Sequence, residues 1–164
     1  MPENHLDKTD LRILHHLQNN GRISNSDLAD AVGLSPSPCL RRVRRLEEAG
    51  VLRRYVGIVD ARLVGLPISV FVNVSLRSQE RANLEKFEHQ ILQYSEVMEC
   101  YLMTGGFDYM LRVVVPDLDS YQRFLADKLT RIASVANIQS SMTLKQVVYK
   151  TELPLSESAS LLLR

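Results

Sequence analysis

Two helix-length segments meet at Gly33-Leu34-Ser35, and the second opens on Pro36 and Pro38 and then carries four arginines. That junction constrains the chain more than any other feature. Proline is tolerated in the first turn of a helix, where its missing N–H would be unpaired anyway, so a helix begins there and runs to Gly50 at its C-terminal end. Before it, Ser24-Asn25-Ser26-Asp27 supplies capping side chains for a short helix holding Leu28, Ala29 and Val32, which Gly33 stops. Upstream, Leu6, Ile13, Leu14 and Leu17 recur at helical spacing beside Asp7, a good N-cap, and this first helix ends near Asn20-Gly21. The spacing predicts a helix-turn-helix packed on a third helix.

Stepping along the third helix at 100° per residue gathers Cys39, Leu40, Val43 and Leu46 on a core side and Ser37, Pro38, Arg41 and Arg45 opposite, with Arg42 and Arg44 flanking. Over the whole chain Lys+Arg is 20 against Asp+Glu 19, a net charge of +1 that names no polyanionic partner. Ser35 to Tyr55, however, holds six arginines against only Glu47 and Glu48. Basic charge is concentrated rather than abundant. A major groove admits one α-helix, phosphates take Arg at its flanks, and guanine pairs bidentately with Arg. The bland alternative is a solvated basic helix face, and the turn spacing, the arginine face and the segment after Gly50 together argue against it. That segment, Val51 to Val59, is rich in β-branched residues and is expected to form a strand or small hairpin, a wing.

Asp60 to Pro67 carries Gly65 and Pro67 and breaks both periodicities, which puts a domain boundary there. Beyond it Val70, Val72, Val74 and Leu76 alternate with Phe71, Asn73 and Ser75, a strand. Leu84, Phe87, Ile91 and Leu92 form a helical stripe; Val97 to Thr104 and Phe107 to Val115 are strands joined at Gly105-Gly106. A second stripe, Leu118, Tyr121, Leu125, Leu129 and Ile132, follows Pro116-Asp117, and a last strand runs from Val135 to about Tyr149. The order βαββαβ is that of a ferredoxin-like sandwich with both helices on one face of an antiparallel sheet, so the fold class is α+β. Because Phe107 to Val115 is apolar on both faces, a second copy of the chain is expected to cover the open side.

Thr104-Gly105-Gly106-Phe107-Asp108-Tyr109 has backbone N–H groups that could meet a carboxylate and an acid that could meet an ammonium, a pairing suited to an amino acid. A plain hairpin with a solvated Asp is the alternative reading. His5, His15, His16 and His89 form no ligand spacing with acids or cysteines, so no metal is expected. No GxSxG, P-loop or GxGxxG occurs, which leaves no visible catalytic apparatus and no implied cofactor. Cys39 and Cys100 are expected to be buried free thiols. No apolar stretch approaches the roughly 20 residues of a membrane span, and Met1 to His5 lacks a basic segment leading into an apolar one, so the chain reads as cytoplasmic.

Several of these segments together resemble the leucine-responsive regulatory protein/AsnC (Lrp/AsnC) family of prokaryotic transcription regulators. The resemblance spans about Leu6 to Lys150 and rests on Leu6-Asp7-Lys8-Thr9-Asp10 with Ile13-Leu14, on Gly21 to Asn25, on Leu34 to Glu47 and on Thr104 to Tyr109. It implies a winged helix-turn-helix domain (6–67, linker included) and an effector-binding and oligomerisation domain (68–150), and it does not cover the tail (151–164). It also implies a helix-turn-helix over about Asn25 to Arg44, dimers that assemble further, commonly as an octamer, and effectors that are usually amino acids. Candidate contacts to double-stranded DNA, at pseudo-palindromic sites, are Asn25, Ser35, Ser37, Pro38, Arg41, Arg42, Arg44, Arg45, Arg53 and Arg54. Candidate effector contacts implied by position are Leu102, Thr104, Gly105, Phe107, Asp108 and Tyr109, with Leu118, Ser141, Met142 and Thr143. The residues taken alone leave two rivals open: a small ferredoxin-like enzyme or metabolite sensor whose basic helix meets a protein, and an architectural DNA-wrapping oligomer without effector.

Overall fold

A computed structural model describes residues 6–155, which form two compact units. In the first, α1 (Lys8–Asn19), α2 (Asn25–Val32) and α3 (Pro36–Glu48) pack around Leu11, Ile13, Leu14, Leu28, Ala29, Cys39, Val43 and Leu46. Local chemistry sets each start and stop. Asp7 accepts from the Asp10 N–H while the Asp10 side chain accepts from the Asp7 N–H, a reciprocal cap that satisfies two otherwise orphaned donors. Ser24 accepts from the Asp27 N–H to start α2, and Gly33, at φ 71°, ends it in the left-handed region that a Cβ disfavours. Asn25 then donates from Nδ2 to the Pro36 carbonyl at 2.9 Å, fastening the start of α2 to the start of α3.

No strand forms over Val51 to Val59. Residues 53–60 form no regular element and have no ladder partner, and Val56, Ile58 and Val59 stay more than 60% exposed. The β-branched composition is present, but a strand also needs an edge to pair with, and among the described residues this segment has no ladder partner.

In the second unit the sheet order is β2-β3-β1-β4, built from β1 (Ile68–Leu76), β2 (Val97–Leu102), β3 (Tyr109–Val115) and β4 (Val135–Met142). All its pairings are antiparallel. Helices α4 (Arg81–Ile91) and α5 (Leu118–Asp127) cover one face: Phe87, Ile91, Tyr121 and Phe124 pack on Val70, Val72, Val74, Tyr109, Leu111 and Val113. This is the ferredoxin-like βαββαβ arrangement. The last strand stops at Met142 rather than near Tyr149, and the stripe that began in α5 finishes in a 3-10 turn, Leu129–Arg131. The open face is less apolar than the sequence suggests, because Arg112 pairs with Glu99 there at 2.6 Å and Val114 is already buried. Phe71 remains the half-exposed apolar residue of that face in β1. Cys39 is buried, whereas Cys100, on the edge strand β2, is exposed overall, which corrects the expectation for that thiol.

The unit boundary falls between Ile58 and Val59, and residues 148–155 return to the first unit. There Gln18 accepts from the Leu153 N–H at 2.7 Å and donates to its carbonyl at 3.3 Å, Asn19 donates to Glu152, and Leu155 packs on the three-helix core. The Ser- and Leu-rich end of the tail, 156–164, lies outside the described residues.

Candidate nucleic-acid interface and effector site

The exposed side of α3 carries Ser37, Leu40, Arg41, Arg44, Arg45 and Glu48 along an open groove of about 670 Å³ that Arg42 also lines. These positions recur at three- and four-residue spacing, so they form one stripe along the helix. Leu40 was expected in the core, but it is 39% exposed and sits among the arginines. Ser35 occupies the N-cap position without making a side-chain cap bond, and because Pro36 and Pro38 have no N–H and Cys39 donates to the Ser35 carbonyl, Ser37 carries the one first-turn N–H of α3 without a helical partner. Arg53 and Arg54 are exposed on the segment after α3.

The arginines of α3 are not equivalent. Arg42 donates to Asp7 at 2.6 Å and to Asp10 at 2.9 Å, and Arg45 donates to the other oxygen of Asp10, whose side chain has no exposed surface. Hydrogen bonding to Asp7, opposed by burial and reinforced by Asp10, raises the Arg42 pKa further. Burial pulls Asp7 upward, but the Asp10 N–H and the Arg42 guanidinium outweigh it and hold its carboxyl below the usual range. Arg41 and Arg44 have no acidic partner among the described residues. Beside this face, burial and the Glu47 carboxylate that its hydroxyl reaches at 2.9 Å push the Tyr55 phenol up to about 12, so it stays a neutral donor.

In the second unit the 103–108 turn is closed by the Met103 N–H on the Asp108 carbonyl, with Gly105 at φ 121°, a backbone position only glycine adopts without strain. Asp108 is buried and both of its oxygens are engaged: Oδ2 accepts from the Leu76 N–H at 2.6 Å and Oδ1 from Gln79 Nε2 at 2.7 Å. Tyr109 is buried against Phe87 and donates to Glu88 at 2.7 Å; burial first, then that carboxylate, raise its pKa. Both side chains therefore hold the turn in place, while Leu102, Thr104 and Gly105 are exposed and Phe107 is partly exposed.

The comparisons with known proteins agree with this architecture. Residues 6–53 match a family model described as winged helix-turn-helix DNA-binding, and residues 69–153 match the Lrp/AsnC ligand binding domain. The chain is 49% identical over 150 residues to the Bkd operon transcriptional regulator of Pseudomonas aeruginosa, covering 92% of this chain and 98% of that protein. The chain belongs to the Lrp/AsnC family.

Other Lrp/AsnC members make the same point. The leucine-responsive regulatory protein of Escherichia coli strain K12 is 37% identical over 146 residues, 89% of either chain. Among solved structures, transcriptional regulator NMB0573 of Neisseria meningitidis, in complex with L-Met, is 40% identical with a TM-score of 0.86 over 91% of this chain and 96% of that one. An AsnC family transcriptional regulator from Agrobacterium tumefaciens is 38% identical with the same TM-score, over 91% and 97%. Like its relatives, this Lrp/AsnC chain is a DNA-binding transcriptional regulator with a ligand-binding domain, not an enzyme. Among the described residues no helix is long and apolar enough to cross a membrane.

The antiparallel register divides the candidate effector residues of this Lrp/AsnC chain into two groups. Ser141 pairs with Phe71 and the Thr143 N–H bonds to the Ser69 carbonyl, while Val115, three residues before Leu118, pairs with Ile68. Leu118, Ser141, Met142 and Thr143 therefore lie at the Ile68 end of β1, whereas the Thr104–Tyr109 turn lies at its Leu76 end. At about 3.4 Å per strand residue the two groups are roughly 15–25 Å apart in one chain. Leu40, Asp7 and Asp10 are the residues that the sequence reading passed over. An acid three residues from another acid at a helix start was legible as a cap, but its reach across to Arg42 and Arg45 was not.

Proposed function

We propose that two symmetry-related copies of α3 read pseudo-palindromic half-sites about one helical turn apart. In this reading Ser37, Leu40, Arg41 and Arg44 face the groove, and Arg53 and Arg54 meet phosphates. Ser35 and Pro38 border the entering helix end, and Asn25 braces it. The observation that carries the reading is the exposed α3 stripe, cationic and free of acid partners at Arg41 and Arg44, on a helix whose opposite side is buried. The protein acts in the cytoplasm and assembles as a homodimer that builds a larger oligomer, an octamer being the form the family resemblance implies.

The effector in this reading is a small apolar α-amino acid. Leucine stands in the name of the Escherichia coli relative, and L-Met is bound in the Neisseria meningitidis structure. The site is completed between subunits: the exposed turn with Leu102, Thr104, Gly105 and Phe107 from one copy meets Leu118, Ser141, Met142 and Thr143 from another. Their separation within one chain supports an intersubunit site, and Asp108 and Tyr109 shape the turn from behind. Coupling to DNA is linkage: an amino acid bound between subunits favours one assembly and alters DNA affinity only by its differential affinity for the two.

A panel of amino acids, read both as melting shift and as change in oligomer size, tests the effector. Leucine or methionine should raise the melting temperature and change the assembly. Silence across the panel would favour an architectural DNA-wrapping oligomer. Fluorescence anisotropy with duplex DNA over a salt series tests the interface: affinity should fall steeply with salt through counterion release.

A further inference from the structure

Two of the arginines on the helix that faces DNA are already occupied from inside the protein. Asp10 receives one guanidinium from Arg42 and one from Arg45, and Asp7, 47% exposed, receives Arg42 at 2.6 Å. The excess of four positive charges that the sequence places over Ser35 to Tyr55 falls to two once these α1 carboxylates are counted. Building on the reading of α3 as the DNA-contacting helix, we propose that Asp7 and Asp10 are specificity-determining residues that keep Arg42 and Arg45 from acting as general phosphate anchors.

The reasoning is competitive. A carboxylate offers a guanidinium much the same charge-assisted hydrogen bonding as a phosphate, so an arginine held this way gives up one good partner to gain another. Such an exchange adds little, and a neutral ion-pair cluster neutralises no phosphate and releases no counterion. Sequence-independent affinity scales with the number of phosphates neutralised, whereas base-edge reading does not depend on net charge. Withdrawing two cations per subunit from the phosphate count therefore removes a larger share of the affinity for an incorrect duplex, which rests almost wholly on phosphates, than of the affinity for the correct one. Attraction to any duplex is left to Arg41, Arg44, Arg53 and Arg54, which have no acid partner among the described residues. In a protein that assembles into oligomers the effect is multiplied by the number of helices engaged.

The test uses the full chain and two duplexes: a random sequence and one selected by the wild-type protein from a random pool. Asp7→Asn removes one charge while keeping a side chain that caps a helix as well as aspartate does. It should bind the random duplex several-fold more tightly, with a log–log salt slope steeper by about one per subunit, and its preference for the selected duplex should fall. Arg44→Ala should shift the slope by about one in the opposite direction. If Arg44→Ala does so while Asp7→Asn leaves random-duplex affinity and slope unchanged, the proposal is overturned and the DNA reading stands. If wild type binds neither duplex, the DNA reading itself fails and takes the proposal with it. Should Asp7→Asn lose its thermal transition, Arg42→Gln decides the matter: a wild-type slope supports the proposal, and a slope reduced by about one per subunit overturns it.

Discussion

Among the described residues each unit buries one carboxylate, and the two are satisfied in different ways. Asp10 in the first unit is matched by cations, Arg42 and Arg45, carried on another helix. Asp108 in the second is matched by neutral donors, the Leu76 N–H and the Gln79 amide. A buried acid facing arginines ties two elements together and also sets how much charge the outer surface offers. A buried acid facing N–H groups fixes a backbone turn. In the readings proposed above, the first arrangement serves a surface that discriminates among polyanions, and the second a turn whose exposed rim, Thr104 to Phe107, meets a ligand.

Removing each acid is the strongest way to break this comparison. Asp10→Ala leaves two guanidiniums without their shared partner and the Asp7 N–H without its acceptor. Because both arginines can turn toward water, the expected loss is about 2–4 kcal/mol of first-unit stability, below that of a fully sealed pair. Denaturant unfolding followed by helical signal measures it, and a loss under about 0.5 kcal/mol would mean that the ion pairs are ornamental. Asp108→Ala should cost about 2 kcal/mol in the second unit by leaving the Leu76 N–H buried and unpaired. Amide exchange at Leu76 should accelerate; unchanged protection there would remove Asp108 from its proposed place behind the turn. Ser24→Ala, which deletes the side-chain cap of α2, should cost about 1 kcal/mol, and wild-type stability would show that Gly33 and the Asn25–Pro36 bond already fix that helix.

The same contrast explains what the sequence made legible. In the first unit the caps Asp7 and Ser24, the stop at Gly33 and the prolines at the start of α3 are local signals, each acting within four residues, and all three helices lie where they indicate. What failed there was long-range: Arg45 looked free on the helical wheel because a wheel cannot show Asp10, 35 positions away. In the second unit alternation located the strands, but not their partners. Pairing of β1 with both β3 and β4 is a non-local property, and it alone determines that Ser141 and Asp108 stand at opposite ends of one strand. The segment 53–60 is the third case, since its composition favours a strand but among the described residues it pairs with none.

The smallest expected effect is also the most direct comparison of the units, because each has a surface-tied acid with a lowered pKa. For Asp7, burial opposes the shift and the Asp10 N–H and Arg42 produce it; for Glu96, burial opposes and Lys128, at 2.6 Å, produces it. A depressed carboxylate contributes stability that is fully present above its unfolded pKa and is lost as pH falls through the folded one. The second unit should therefore begin to lose its tie below pH 4.5 and the first only below 3.8, the ordinary values of the two groups. Solvent screening keeps either contribution below about 1 kcal/mol, and added salt should shrink it further. Glu96→Gln should flatten the acid limb of the second unit's melting curve between about pH 5 and 3 while leaving that of the first unit unchanged. Parallel acid limbs in the variant and the wild type would mean that Lys128 contributes through its contact with the Tyr94 ring, 5.5 Å from the centroid, rather than through Glu96.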